Sequence, residues 1–125
     1  MSKLKVNEVE NLANDGSLNF MANYDVILPA GNYISGTFTI PNGRTWDDYD
    51  LIVVVGASST TNKSLNTVFA PKEVLQLNPT DWELDISNDL NSVARVTYLS
   101  PTQFTVSVVT NRIRMIIGYR KNGVA

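Results

Sequence analysis

Tyr49-Asp50-Leu51-Ile52-Val53-Val54-Val55-Gly56 is the stretch from which the rest of the chain is read. Four of the five residues from Leu51 to Val55 are β-branched. Crowding at their Cβ atoms favours a strand over a helix. Side chains alternate sides along a strand. Tyr49, Leu51, Val53 and Val55 therefore point one way, and Ile52 and Val54 the other. Both faces are apolar. In an antiparallel sheet one face of a strand normally meets water, so this strand needs a cover on each side. Little helical pattern exists to supply the second cover, and a neighbouring subunit is the expected source.

Working outward, Asn32 to Ile40 reads as a half-buried strand with Ile34, Phe38 and Ile40 on one face, closed by the turn Pro41-Asn42-Gly43. Leu65 to Ala70 is a further strand, and Lys72 to Leu75 can form one helical turn after Pro71. From Trp82 to Ile86 apolar residues alternate with carboxylates, the pattern of a strand with one wet face. The last third reads as a three-stranded meander over Val93–Leu99, Phe104–Val109 and Arg112–Arg120. In its last strand Ile113, Met115, Ile117 and Tyr119 share one side, and Arg112, Arg114, Ile116 and Gly118 the other. Many short strands, frequent turns and no long helical period predict an all-β fold. The expected architecture is an antiparallel β-sandwich, jelly-roll-like, over residues 21–125. A short extended segment, 1–20, precedes it. Its apolar residues Leu4, Val6, Val9, Leu12, Leu18 and Phe20 are too few to build a core alone.

At 125 residues the chain is the size of one domain. It contains neither cysteine nor histidine. Thiolate metal sites, disulfides and the usual general base near neutral pH are thereby excluded. A net charge of −2 argues against nucleic-acid binding. No run approaches the ~20 apolar residues of a membrane span, so no membrane insertion is expected. The first residues lack the apolar stretch of a secretory signal, which points to synthesis in a cytoplasm.

Trp46 stands among Arg44, Asp47 and Asp48. An indole face suits a sugar ring and carboxylates accept its hydroxyl bonds, so these four residues are candidate glycan contacts. The competing reading is a turn rich in acids with one aromatic anchor. Asp81, Glu83, Asp85 and Asp89 invite a calcium loop, but Ile86 and Ser92 stand where that loop needs glycine and glutamate. The serines and threonines lack an activating base and a Gly-x-Ser-x-Gly elbow. No catalytic residue, cofactor or metal site is assigned.

Leu4-Lys5-Val6-Asn7-Glu8-Val9-Glu10-Asn11-Leu12, followed by Asp15-Gly16 and Phe20, resembles a short segment of bacteriophage tail fibres and tail spikes, where it precedes a trimeric module. Tyr49 to Val55, Val68-Phe69-Ala70-Pro71, Phe104-Thr105-Val106 and Ile116-Ile117-Gly118-Tyr119 look, in that order, like the β-sandwich tips of such fibres. The resemblance implies a non-enzymatic virion structural protein, a short tail or collar fibre located in the virion. Its expected partners are two copies of itself in a homotrimer, other tail, collar or baseplate proteins, and a host surface glycan. Residues 1–20 would serve attachment or trimerisation. The expected trimer interface is Leu4, Val6, Val9, Leu12, Leu18, Phe20, Ile52, Val54 and Ile116. The alternative is a free-standing carbohydrate-binding module outside a virion.

Overall fold

The computed structural model describes residues 23–58, 65–89, 92–122 and 124. Eight strands are described: β1 (Tyr24–Leu28), β2 (Ser35–Thr39), β3 (Tyr49–Ala57), β4 (Leu65–Pro71), β5 (Glu83–Asp89), β6 (Ser92–Ser100), β7 (Gln103–Val108) and β8 (Arg112–Arg120). One helical turn, α1 (Lys72–Leu75), follows β4. Every strand pairing among them is antiparallel. The strands form two four-stranded sheets, ordered β1-β8-β3-β4 and β2-β7-β6-β5. The fold is an all-β sandwich, as the alternation predicts. On one side it interleaves like a jelly roll, since β1 and β2 pair with β8 and β7. On the other it closes more simply, by the β3-β4 hairpin and the β5-β6-β7 meander.

The long apolar strand is indeed the organising element. β3 pairs with β8 along one edge and β4 along the other. Its residues Ile52 and Val54 are 2% and 0% exposed, and Ile116 beside them is 0% exposed. They pack with Ile86, Val96 and Phe104 of the second sheet in one core. The cover on this face is therefore the chain's own other sheet. That corrects the placing of Ile52, Val54 and Ile116 at a trimer interface: alternation separates two faces without saying which turns inward. Leu4, Val6, Val9, Leu12, Leu18 and Phe20, and the whole 1–20 segment, lie outside the described residues.

Two register shifts alter the expected faces. One falls between Tyr49 and Leu51, so Tyr49 leaves the outward set and turns inside, 1% exposed. The other sets Val55 opposite Met115 but Gly56 opposite Ile113, making Arg114 the extra residue. A bulge reverses the inward–outward parity of the residues beyond it. Ile113 thus enters the core at 0% exposure, against the expectation that it sits with Met115, Ile117 and Tyr119.

The final meander also needs correction. β6 and β7 pair as expected, but β8 crosses to the other sheet between β1 and β3. Asn111 fixes the crossing. It is 1% exposed, and its side-chain amide donates to the carbonyls of Ser92 (2.8 Å) and Ile86 (3.3 Å).

Candidate functional site

A pocket of about 210 Å³ opens at one end of the sandwich, beside Trp46. The chain enters through a single turn, Trp46–Asp48, capped reciprocally by Thr45 and Asp48. The Thr45 amide donates to the Asp48 carboxylate at 2.9 Å. This capping box satisfies amides that a short turn leaves without partners. Thr45, Trp46 and Asp47 of this segment line the pocket, together with Lys72, Leu75 and Gln76 from α1 and the residue after it. Trp82, just before β5, and Tyr98 of β6 close the floor, joined by the hydrogen bond from the Tyr98 amide to the Trp82 carbonyl at 3.0 Å.

The floor is aromatic. The Trp46 and Trp82 rings meet edge-to-face at 4.9 Å, and Trp82 meets Tyr98 at 5.8 Å. Trp46 also lies edge-on to Phe104 at 5.6 Å, and its indole nitrogen points to the Gln103 carbonyl at 3.4 Å. Such contacts favour tilted rings because each ring has a negative face and a positive edge. Trp46 and Trp82 are 9% and 7% exposed, so both show the pocket little more than an edge. Tyr98 is half-buried and is the most open of the three rings.

The rim is charged. Lys72 and Lys121 clamp the exposed Asp47 carboxylate at 3.1 and 3.3 Å. Lys72 also donates to the Asp47 carbonyl at 3.2 Å. The hydrogen bond from Lys72, then that from Lys121, holds the Asp47 carboxyl below the usual carboxylate range. The same bond to Asp47 raises the Lys72 ammonium above its ordinary value. An ion pair this exposed adds little to stability, so its interest lies in what it presents to a ligand. Asp47→Ala should leave the thermal midpoint unchanged while weakening any saccharide signal of the full chain on a glycan array. A large fall in midpoint would assign Asp47 to the fold instead.

Of the four expected glycan contacts, Trp46 and Asp47 share this pocket. Asp48 turns its carboxylate back onto the Thr45 amide. Arg44 turns to a different site, an ion pair with Asp25 of β1. Asp25, 8% exposed, also binds Arg120 of β8 and accepts from the Tyr49 hydroxyl at 2.9 Å. This cluster ties the first strand, the 41–48 loop, β3 and the last strand together. Lys72, Gln76 and Tyr98 had no signal as site residues in the sequence, and Trp82 and Lys121 showed only as an aromatic and a cation with no link to Trp46 or Asp47. They reach Asp47 and Trp46 only through strand pairing, and the Lys121–Asp47 contact spans 74 positions.

A second feature is the outward side of the β1-β8-β3-β4 sheet. Directly paired residues face the same way. The register therefore builds a central row Val26–Ile117–Val53–Phe69. Flanking it are Tyr24–Tyr119–Leu51–Pro71 and Met115–Val55–Thr67. No charged residue stands in these rows. Phe69 is 65% and Val26 38% exposed, whereas Val53 between them is 5% exposed. Single exposed apolar residues are ordinary, but a contiguous patch marks an interaction surface.

Comparison with known proteins returns no matching family model, no matching curated protein and no matching solved structure.

Proposed function

We propose that the chain is a non-enzymatic structural protein of a bacteriophage virion, the head of a short tail or collar fibre that assembles as a homotrimer. The observation that carries this reading is the apolar outward face of the β1-β8-β3-β4 sheet. The inner face of β3 fills its own core, and the outer face is just as apolar. A sandwich that stands alone keeps polar residues on its outer sides. The resemblance of residues 4–12 to fibre segments supports the same reading. The aromatic-floored pocket at Trp46 and Asp47 favours a second role for the head, contact with a host surface glycan. It equally suits a free-standing carbohydrate-binding module, which would be a monomer. Light scattering on the full chain at micromolar concentration separates the two. The assembly reading expects the mass of three chains, and a mass of one chain would overturn it.

A further inference from the structure

We infer that residues 3–20 fold back onto the outward face of the β1-β8-β3-β4 sheet of their own chain, with Lys3 and Lys5 at its Asp50 end and Glu8 and Glu10 at its Arg114 end. The inference goes beyond the assembly reading, because it names what lies on this face within a single copy.

A charged bulge residue stands at each end of the face. The apolar rows run from Tyr24–Tyr119–Leu51–Pro71 at one end to Met115–Val55–Thr67 at the other. The extra residue of the first bulge is Asp50, beside Leu51, and that of the second is Arg114, beside Met115. Asp50 is exposed and Arg114 half-buried, and neither makes an ion pair with another described residue. From Asp50 to Val55, the partner of Met115, is five positions along β3. At ~3.4 Å per residue that is about 17 Å. An occupant that fits this face has an apolar middle, a cation at one end and an anion at the other, spaced by that length.

The chain ahead of the described residues contains such a segment. Lys3 and Lys5 precede Glu8 and Glu10, with Leu4, Val6 and Val9 among them, and Lys5 stands five positions before Glu10. Its two pairs of charges thus match the two bulges in spacing and oppose them in sign. Opposite charges fix register, and buried apolar area supplies the attraction. Asn14-Asp15-Gly16 is a turn signal at which the chain can reverse. Leu18 and Phe20, two positions apart, share one side of an extended return arm. The return must finish at the Asp50 end, and it does: Asn23 leads into Tyr24, in the row beside Asp50. Residues 11–22 reach up to roughly 40 Å when extended, ample for that path. Two arms about 10 Å wide cover roughly half of a face four strands, or ~19 Å, across, so the other half stays open to neighbouring copies. A tethered segment meets the face at an effective concentration in the millimolar range, about a thousandfold above separate copies in a micromolar solution. That favours the chain's own segment over a second copy as the occupant of its half.

The chain contains no cysteine, so introduced thiols are unique. The test uses the full chain carrying Val9→Cys and Met115→Cys, treated with a short bismaleimide and run on a denaturing gel, with the linked peptides identified by mass spectrometry. Val9 lies between the two glutamates, and Met115 follows Arg114. The expected result is a link within one chain. Val9→Cys combined with Leu99→Cys, at a 50% exposed position on the other sheet, should give none. Absence of the link between positions 9 and 115, or an equal link to position 99, overturns the inference. A link that joins two chains hands the face to a neighbour's segment and overturns it as well. At low salt, Arg114→Glu should lower the yield of the link by up to about fivefold, the scale of an exposed ion pair. Adding Glu8→Lys and Glu10→Lys should restore it, and an unchanged yield overturns the charge register. The link is read within one chain, so its outcome is separate from the solution mass. A one-chain mass by light scattering removes the assembly reading and leaves this inference standing.

Discussion

Asp25→Ala should cost about 3–5 kcal/mol, the range for breaking a buried charge cluster by removing one partner. Arg44, Arg120 and the Tyr49 hydroxyl all converge on the Asp25 carboxylate, which supplies the negative charge between the two arginines. Its removal leaves two guanidinium groups, each with only 14% of its side chain exposed, facing one another without that anion. The loss is a large share of the roughly 5–15 kcal/mol that holds a domain together. It should lower Tm by on the order of 10–20 °C. Urea unfolding at one fixed protein concentration measures it. Adding Arg44→Met to Asp25→Ala should recover part of the loss, since one stranded charge goes with the arginine. A cost below about 1 kcal/mol for Asp25→Ala, the level of a surface pair, would show that the cluster is solvated in solution.

The same carboxylate sets an acid limit. Burial alone would raise the Asp25 pKa. The hydrogen bonds from Tyr49 and Arg120 and the charges of Arg44 and Arg120 outweigh burial and hold it below 3.8. A group depressed in the folded state stabilises the fold fully above its unfolded pKa, and that contribution fades as pH falls through the folded value. Stability should therefore drop below about pH 4. Asp25→Asn should lack this component of the acid transition. Burial, then the bond to Asp25, pushes the Tyr49 hydroxyl well above the usual phenol range, so it remains a donor at any pH where the fold is tested.

The reach of each physical signal sets what the sequence revealed. Periodicity is local, and it located the strand over Leu51–Val55, the half-wet strand after Trp82 and the helical turn after Pro71. It also showed that β3 is apolar on both sides. Which side turns inward depends on the second sheet, and on bulges at Asp50 and Arg114 that alternation does not foresee. The crossing of β8 away from β7 was hidden for a related reason. Thr110-Asn111 reads as an ordinary turn, and only the two carbonyls waiting 19 and 25 positions away show why Asn111 is buried. The site divides along the same line. Trp46 and Asp47 announced themselves as an aromatic beside acids. Their partners Lys72, Trp82 and Tyr98 come from other strands and turns, and the Asp25–Arg120 pair joins residues 95 apart. Arg44 and Asp48 look like site residues in sequence, yet their side chains turn to Asp25 and to the Thr45 amide.

Phe104→Ala, with an expected cost of about 3–5 kcal/mol, links that core to the pocket. Phe104 is 0% exposed at the start of β7. Its ring stacks on Phe38 at 5.5 Å and meets Trp46 edge-on at 5.6 Å. Trp46 in turn rests on Trp82. Truncating Phe104 opens a cavity beneath the pocket wall, and close-packed interiors relax only partly around such a hole. The two indoles lose the surface that sets their angle. Trp46 and Trp82 are the chain's two tryptophans, so tryptophan fluorescence reports on this wall alone. The folded variant should emit at longer wavelength than the parent protein. Ile113→Val removes one methylene elsewhere in the core, should cost only about 0.5–1.5 kcal/mol, and should leave the emission maximum in place. An unshifted spectrum for folded Phe104→Ala would mean that the indoles hold their positions without Phe104. The pocket would then be a property of the 41–48 loop and α1, independent of the packing between the sheets.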